Sequence, residues 1–380
     1  MLRHPVIVIA PDSFKGSVSA PDAAAAIGRG LARVWPGVEL RLCPMADGGE
    51  GTLDAILARG GERRSCAVTG AAGTRIDAAY GWLSDGAIVV IEAAEVVGLT
   101  DAVGTGVDVE QRSTRGVGEL IRVALDAGAR RLMIGVGGSS TNDGGAGMLV
   151  ALGMSLVDAD GRLIAPTPEG LASLAAVDAR ALEPRLAEVA ITIISDVNNP
   201  LCGERGASAI FGPQKGVRRE RIAELDARIA NFATLVERAV GRRASALPGA
   251  GAAGGLGFAL QLIGGEMRSG AQVVADLVGL DAALTGADWL ITGEGRSDLQ
   301  TLLGKTPWVV AQRAAAKNVP ATLLSGGIDS GALPQLAAHF AGCFALPSGP
   351  ADLADCVANA AMLLADRAEQ LARLFDAARR

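Results

Sequence analysis

Short apolar runs alternate with glycine-rich loops and helical segments in the first part of the chain. VIVIA (6–10) is a β-branched run typical of a buried parallel strand. A helix is predicted from about Ser19, because a serine can cap its first turn. A second strand (38–44), the loop MADGGEG (45–51) and another helix (52–60) follow. This repetition predicts a parallel α/β sheet whose ligands bind at the carboxyl ends of the strands.

The pattern changes at about Glu62. Residues 62–94 alternate apolar and polar positions on both sides of a Ser84-Asp85-Gly86 turn, which predicts an antiparallel hairpin. A second hairpin is predicted around Asp160-Gly161. Among the helical segments of this part, the longest is expected at about 218–240. The middle of the chain therefore reads as mixed α/β rather than as a continuation of the first pattern.

The strand and helix rhythm of the first part returns from Asp288, beginning with the strand WLITG. We therefore predict an α/β fold of two domains. One is a discontinuous three-layer domain with a parallel-rich sheet, made of residues 1–64 and 286–380. The other is a mixed α/β domain of residues 65–285 inserted into it. The cleft between the two domains is the expected active site.

Composition restricts the possible functions of the chain more than it restricts the possible folds. The net charge is −6 and aromatic residues make up 3%, which argues against a nucleic-acid binder with its basic face and stacking aromatics. Only His4 and His339 are available, which argues against Ser-His-Asp hydrolysis and histidine-rich metal sites. Five scattered cysteines without a CxxC motif indicate reduced thiols in a cytoplasmic protein. No apolar run reaches the roughly 18 residues of a membrane helix, so no membrane partner is expected.

Lysine supplies only four of the 35 basic residues, so each lysine is informative. Lys15, Lys215 and Lys305 each lie beside a glycine in a predicted loop, whereas Lys317 lies at a predicted helix end. The ordinary interpretation of a single lysine is a solvated charge. That three of the four lysines lie beside a glycine favours contacts with phosphate oxygens, for which a compact ammonium group is suited.

Carboxylates follow several of the predicted strands. A DGGxG motif occurs twice, starting at Asp47 and Asp143. Each copy is either a backbone nest for an oxyanion beside a carboxylate for Mg²⁺, or a tight turn with an aspartate cap. Asp196 and Glu294 each follow an apolar strand, a position suited to catalysis and also to turn capping. Because histidines are scarce, a general base must be a carboxylate or a lysine.

Sequence motifs for nucleotides are weak in this chain. Gly304-Lys305-Thr306 has the end of a Walker A motif, but Leu299 stands where the first glycine belongs. Residues 249–254 match GxGxxG, yet they follow Pro248 rather than a clear strand. A nicotinamide-dependent dehydrogenase using 249–254 therefore stays one alternative. A binding or sensor module for a small acid is the second, since a two-domain cleft can bind without turnover.

Taken together, the motifs resemble the bacterial glycerate kinase family that makes 2-phosphoglycerate. The resemblance covers nearly the whole chain and is carried by APDSFKGS (10–17), PMADGGEGT (44–52), GVGGSSTNDGGAGML (135–149), DVNNPLCGERGASAIFGPQKG (196–216), GAGAAGGLGFAL (249–260) and ITGEGRSDLQTLLGKTP (291–307). It implies a discontinuous α/β domain carrying an inserted flavodoxin-like domain, and phosphorylation of D-glycerate that depends on ATP and Mg²⁺. The family often has Asp where this chain has Asn198, so Asp196 is preferred as the functional carboxylate there.

The resemblance and the motifs together predict a site. Asp196, Asp47 and Lys15 are the expected catalytic residues, with Asp196 as the base or metal-orienting carboxylate near the glycerate hydroxyl. Arg296 and Lys15 are candidates to hold the carboxylate of glycerate. The further expected residues are Ser13, Arg296, Asp298 and Gln300 for the substrate, Gly137, Gly138, Ser139, Asn142, Lys215 and Lys305 for nucleotide or phosphate, and Asp143 and Glu294 for the metal. The oligomeric state stays open, with a homodimer as the candidate.

Overall fold

The computed structural model describes residues 4–85 and 87–379. Gly86 of the predicted turn lies outside the described residues, as does Arg380, the predicted end of the last helix. The strands, in chain order, are β1 (Val6–Ile9), β2 (Glu39–Leu42), β3 (Glu62–Thr69), β4 (Arg75–Leu83), β5 (Ile88–Glu92), β6 (Arg131–Gly135), β7 (Ser155–Val157), β8 (Ala176–Asp178), β9 (Ala190–Ile194), β10 (Glu266–Arg268), β11 (Trp289–Thr292), β12 (Arg296–Ser297), β13 (Ala321–Ser325), β14 (Gly327–Ile328) and β15 (Gly342–Ala345). The helices are α1 (Ala20–Ala32), α2 (Thr52–Leu57), α3 (Ala94–Val97), α4 (Ala102–Thr105), α5 (Arg115–Asp126), α6 (Ala146–Ala151), α7 (Ala207–Phe211), α8 (Ile222–Val240), α9 (Leu256–Leu262), α10 (Gly270–Leu277), α11 (Leu280–Leu284), α12 (Thr306–Ala315), α13 (Leu333–Ala337), α14 (Leu353–Ala358) and α15 (Ala360–Ala378).

The chain divides into two compact units. The first comprises Met1–Asp47, Asp54–Gly60 and Gly270–Arg380, and the second comprises Gly48–Leu53 and Gly61–Ser269. Helices α10 and α11 therefore group with the first unit, whereas the sequence analysis placed them in the inserted domain. An active site in a cleft between two domains stays a prediction.

A five-stranded parallel sheet forms the centre of the first unit, in the order β15-β13-β11-β1-β2. Strand β1 lies between β11 and β2 and pairs with both in parallel. The residues of β1, β11 and β13 are buried throughout, as expected for parallel strands covered on both faces. The predicted α/β class is confirmed, and the apolar run at 6–10 supplies an interior strand of this sheet.

Helices α1 and α15 pack against each other in the first unit. Helix α1 begins after the predicted cap, where Ser19 Oγ accepts a hydrogen bond from Asp22 N at 3.2 Å. A Cβ on Gly30 of α1 would lie 2.0 Å from the Ala365 carbonyl oxygen of α15. Only glycine therefore allows this helix spacing. The two ends of the chain share one core as a result.

The sheet of the second unit has six strands in the order β10-β9-β6-β5-β4-β3. Strands β3, β4 and β5 pair antiparallel, which confirms the hairpin predicted over residues 62–94. Strands β5, β6, β9 and β10 pair in parallel. The core beside this sheet includes Phe232 and Phe258, whose rings meet edge to face at 6.3 Å. Four strands of this sheet therefore share the parallel arrangement of the whole first-unit sheet.

The chain reverses at the second predicted hairpin, but the strand pairing there differs from the prediction. Asp158 N donates to Arg162 O at 2.9 Å and Ile164 N donates to Leu156 O at 3.0 Å. The returning segment forms only an isolated bridge, and β7 pairs with β8 instead. Leu163 is 76% exposed, so extending the hairpin would bury little apolar surface.

The longest predicted helix of the second unit is shorter than expected. Helix α8 begins at Ile222 instead of about Arg218, because residues Arg219–Arg221 form a 3-10 helix ahead of it. Gly241 ends it in a left-handed conformation, the usual C-terminal role of glycine.

Within the described part of the chain, no helix combines the length and apolar character required to cross a membrane.

Candidate active site

A cavity of about 620 Å³ lies at the carboxyl ends of the parallel strands of the first unit. Each of the five strands is followed by a residue of its lining. These residues are Asp12 after β1, Asp47 after β2, Glu294 after β11, Gly326 after β13 and Leu346 after β15. Because the carboxyl ends of parallel strands meet at one edge of the sheet, ligands of α/β proteins bind at this edge. The cavity is therefore the candidate active site.

Lys15 and Asp47, both predicted catalytic residues, form an ion pair at this cavity. Lys15 Nζ lies 3.3 Å from Asp47 Oδ2, and the two side chains are 65% and 33% exposed. The charge of Asp47, more than any other cause, raises the pKa of Lys15. A pair this exposed contributes little to stability. Its position indicates a role toward an anionic ligand instead.

Asp12 is a buried carboxylate of the cavity that was not among the predicted site residues, and the exposed Asp329 is another. Asp12 is 7% exposed, and its Oδ1 accepts a hydrogen bond from Ser13 N at 2.7 Å. Burial, and after it the negative charge of Asp47, raise the pKa of Asp12 to about 7. The available signal was its place directly after an apolar strand, the same signal that singled out Asp196 and Glu294.

Glu294, a predicted metal ligand, lies in the cavity wall and is 9% exposed. Its Oε1 accepts hydrogen bonds from Ser297 Oγ at 2.9 Å and from Thr301 Oγ1 at 2.7 Å. Burial raises the pKa of Glu294, and the hydroxyl of Thr301 is the largest influence that opposes the rise. The two hydroxyl groups hold this carboxylate in one orientation.

Arg296 and Lys305 add positive charge to the same lining. Arg296 Nη2 lies 3.9 Å from Asp329 Oδ2, and its side chain is 75% exposed. Lys305 Nζ lies 3.8 Å from Asp298 Oδ1. Both separations are long for charge-assisted hydrogen bonds. An incoming anion can therefore compete for both cations.

Asp298 and Gln300, predicted to bind substrate, belong to a capped turn and are not part of the cavity lining. Asp298 Oδ1 accepts from Gln300 N at 2.8 Å, and Asp298 N donates to Thr301 Oγ1 at 3.0 Å. The bond to Thr301 belongs to the capping box between Asp298 and Thr301 at the start of the 3-10 helix Leu299–Leu303. This geometry favours a structural role for Asp298, and substrate binding by the two residues stays a prediction.

The cavity lining also contains apolar side chains, which include Phe14, Ile328, Leu346, Leu353 and Val357. Leu353 is 79% exposed. The Ser17 hydroxyl donates to Val357 O at 2.6 Å and thereby joins the Lys15 loop to α14. Apolar walls with a few charged groups are the usual composition of a site for an organic ligand.

Lys215, predicted to bind phosphate, is buried in the second unit and is only 4% exposed. Its Nζ donates to Ser139 Oγ at 3.0 Å and to Thr141 O at 2.7 Å. Burial lowers the pKa of Lys215 to about 7. The ammonium group therefore binds the loop that contains two other predicted phosphate ligands, Ser139 and Asn142. Asn142 Nδ2 donates to Ser208 Oγ at 2.9 Å, within the same buried cluster.

Asp143, the second predicted metal ligand, is completely buried in the second unit. Its carboxylate accepts hydrogen bonds from Thr114 N, Thr114 Oγ1, Gly145 N and Gly147 N, at 2.8 to 3.1 Å. Burial raises the pKa of Asp143, and these donors oppose the rise. A carboxylate with four donors has little capacity left for a metal ion. The geometry favours the capped-turn interpretation for this DGGxG copy, and metal binding by Asp143 stays a prediction.

The glycines of two predicted ligand loops meet backbone to backbone in the second unit. Gly137 N donates to Gly48 O at 3.0 Å. A Cβ on Gly48 would lie 2.4 Å from Ile194 O, and one on Gly137 would lie 2.5 Å from the Cα of Gly49. Close packing therefore accounts for these glycines. Phosphate binding by Gly137 and Gly138 stays a prediction, and Gly138 is the exposed member of the pair.

Asp196, the predicted base, follows β9 of the second unit and is exposed, as is Asn198. Its catalytic role stays a prediction.

The GxGxxG segment at 249–254 is not preceded by a strand, and Ala252–Gly255 form a 3-10 helix in which Ala253 has a φ of 53°. A dinucleotide-binding turn requires a strand directly before it. The dehydrogenase alternative therefore loses its only motif.

No group of three or more His, Cys, Asp or Glu side chains among residues 4–85 and 87–379 is arranged to hold a metal ion. Mg²⁺ bound together with a nucleotide requires fewer protein ligands, because phosphates and waters supply most of its oxygens. Glu294 offers the hard oxygen donor that Mg²⁺ prefers, at the wall of the cavity. The donor set thus fits a nucleotide-bound Mg²⁺ and not an all-protein metal site.

Comparison with known proteins identifies the family. The model of the glycerate kinase family matches residues 7–376. The chain belongs to this family. A glycerate kinase of Bacillus subtilis (strain 168) is 43% identical over 375 residues, which covers 96% of each chain. A glycerate 2-kinase of Escherichia coli (strain K12) is 42% identical over 334 residues, which covers 87% of each chain.

A solved structure supports the same assignment to the glycerate kinase family. It is the crystal structure of a protein assigned as glycerate kinase 2 from Salmonella typhimurium LT2, with a TM-score of 0.86 and 41% sequence identity. The match covers 99% of this chain and 100% of that chain. The resemblance described from the motifs is confirmed, and membership of the family makes the protein a kinase.

Proposed function

We propose that the protein transfers the terminal phosphoryl group of ATP to the 2-hydroxyl group of D-glycerate, which yields 2-phosphoglycerate and ADP. Family membership supports the class of reaction. The name of the E. coli relative, glycerate 2-kinase, supports the position on glycerate. The observation that carries the proposal is the first-unit cavity, where Lys15, Arg296 and Lys305 line the same space as buried carboxylates.

The cations of the cavity suit the two anions of this reaction. Arg296 is the preferred partner for the carboxylate of glycerate, because a guanidinium group can bind both oxygens at once. Lys15 lies in the same lining and is the second candidate, with Ser13 beside it as a hydroxyl donor. Lys305 is assigned to the phosphates. Phosphoryl transfer depends on such positioning and charge neutralisation more than on covalent chemistry.

Mg²⁺ belongs to this proposal as the ion that accompanies ATP. Glu294 would hold it, and the bound ion would neutralise charge on the phosphates. Cavity size supports an organic phosphate donor together with the acceptor, since about 620 Å³ lies within the range of drug-sized ligand pockets. The apolar side chains near α14 suit the base of the nucleotide. A cytoplasmic location and a homodimer remain predictions.

The test is an assay of purified protein with MgATP and D-glycerate, in which ADP release is followed and the product is identified by phosphorus NMR. We expect ADP together with a 2-phosphoglycerate signal. A 3-phosphoglycerate signal would keep the kinase and reject the proposed position. Glycerate binding by folded protein without ADP release would favour the sensor alternative. A nicotinamide-dependent absorbance change would favour the dehydrogenase.

A further inference from the structure

Asp12 is a buried carboxylate of the first-unit cavity to which no role has been assigned. We propose that Asp12 is the general base of the reaction and accepts the proton of the glycerate hydroxyl group. This inference rests on the proposed function and deepens it. The O–H bond of glycerate breaks, its oxygen forms a bond to the terminal phosphorus, and the bond from that phosphorus to the bridging oxygen breaks to release ADP. The proton passes to the Asp12 carboxylate and then to solvent.

The position of Asp12 is fixed by the sheet. Ala10 N donates to Ile291 O and Asp12 N donates to Gly293 O, each at 2.8 Å, so the chain after β1 continues beside the chain after β11. Ser13 N then holds Oδ1 of Asp12 at 2.7 Å. A carboxylate on such a rigid support keeps its geometry through the reaction, as a general base requires.

Asp12 differs from the other carboxylates of the lining in its partners. Asp47 is paired with Lys15 at 3.3 Å. Glu294 already accepts two hydroxyl groups on Oε1. Asp329 is exposed. Asp12 is buried, and a backbone amide, Ser13 N, holds its Oδ1.

The electrostatic setting of Asp12 agrees with this role. Burial and the nearby charge of Asp47 raise the pKa of Asp12 to about 7, while the Ser13 amide, the Thr306 hydroxyl and, least, Lys15 oppose the rise. A base with a pKa close to the working pH combines ionisation with a useful affinity for the proton. Asp196, in contrast, is exposed to water.

The experiment compares Asp12→Asn with the wild-type protein and with Asp366→Asn. Asp366 is an exposed residue of the first unit that pairs with Arg33 on the surface, so its variant is a matched control for loss of one carboxylate. Asp12→Asn is expected to lower kcat by about 10²- to 10⁴-fold, the usual contribution of a general base. The KM values for glycerate and ATP should change by a few-fold at most, and Asp366→Asn should resemble wild type.

The pH dependence separates a base from a merely structural residue. The wild-type kcat should rise with pH through a midpoint near 7, and this limb should be missing from Asp12→Asn. Titration of ATP itself affects both proteins and cancels in the ratio of the two profiles. Asp196→Asn should keep the limb.

Three results would overturn the proposal: kcat of folded Asp12→Asn within threefold of wild type, an acid limb retained in that variant, or a wild-type profile without this limb. If Asp12→Asn does not fold, Asp12→Glu and the wild-type profile decide, since the longer carboxylate should keep a limb with a shifted midpoint. A wild-type protein without glycerate-dependent ADP release would instead reject the proposed function, so the two failures are distinguishable.

Discussion

The Lys15 loop of the first unit and the Lys215 loop of the second unit give their lysines opposite environments. Lys15 is largely exposed at the cavity and faces a carboxylate, Asp47, at 3.3 Å. Lys215 is 4% exposed and donates to a hydroxyl and a carbonyl of the loop around Ser139. The pKa of Lys15 is raised and that of Lys215 is lowered. The first lysine is placed to meet a ligand, and the second holds a loop.

The two DGGxG copies show the same division. Asp47 is partly exposed and lines the cavity, whereas Asp143 is completely buried and accepts four hydrogen bonds from its own unit. One motif thus supports either a ligand-facing charge or a structural one. Which role each aspartate has depends on the residues that other parts of the chain place beside it. Matched substitutions of the two aspartates can test this dependence.

The largest effect is expected from Asp143→Asn. Its amide nitrogen would face backbone N–H donors, and leaving such buried groups unpaired lowers the free energy of unfolding by about 2 to 4 kcal/mol. Asp47→Asn should lower it by less than about 1 kcal/mol, because an exposed ion pair contributes little. Urea unfolding of both variants measures the difference. Equal losses of stability would end the distinction between the two copies.

A smaller effect, on activity, is expected from Lys15→Met. Loss of one charged hydrogen-bond partner costs about 1.5 to 3 kcal/mol, so kcat/KM for glycerate should fall by about 10- to 150-fold. Lys317→Met, at the end of α12, is the control and should leave kcat/KM unchanged. Steady-state kinetics decide the outcome. A loss below threefold for Lys15→Met would return Lys15 to the class of ordinary surface lysines.

The smallest effect concerns the pH dependence of stability at Lys215. Its pKa is about 7 in the folded protein and near 10.4 in an unfolded chain, so the unfolded state binds more protons between these values. The free energy of unfolding of wild type should therefore rise from pH 7 to pH 9, relative to Lys215→Met, by about 2 kcal/mol. Urea unfolding at pH 7, 8 and 9 measures this. A constant difference would mean that Lys215 keeps its ordinary pKa.

The elements that line the cavity could be predicted from local patterns. Apolar β-branched runs marked β1 and β11, and the serine before α1 marked its start. The same patterns could not separate Lys15 from Lys215. The environment of Lys215 depends on Ser139, 76 residues away along the chain, and that of Asp143 depends on Thr114, 29 residues away. Such distant partners follow from the packing of the sheet.

Asp12 escaped the sequence analysis for a related reason. Its burial and the charge of Asp47 arise only when β2 pairs beside β1. A loop carboxylate after a strand gives no sign in the sequence of how deeply it will be buried. The rule that ligands bind at the carboxyl ends of parallel strands would have included Asp12. The glycine-rich and lysine-bearing motifs pointed instead to its neighbours Ser13 and Lys15.

The order of the strands has a consequence for the making of the protein. On the ribosome β1 and β2 emerge first, but β11, β13 and β15 emerge only after the whole sheet from β3 to β10. The second unit can complete its sheet during synthesis, whereas β1 of the first unit waits with one edge uncovered. A polypeptide released before Trp289 lacks three of five strands of that sheet. No such fragment contains both Asp12 and Glu294, so a polypeptide that ends before Trp289 lacks the cavity.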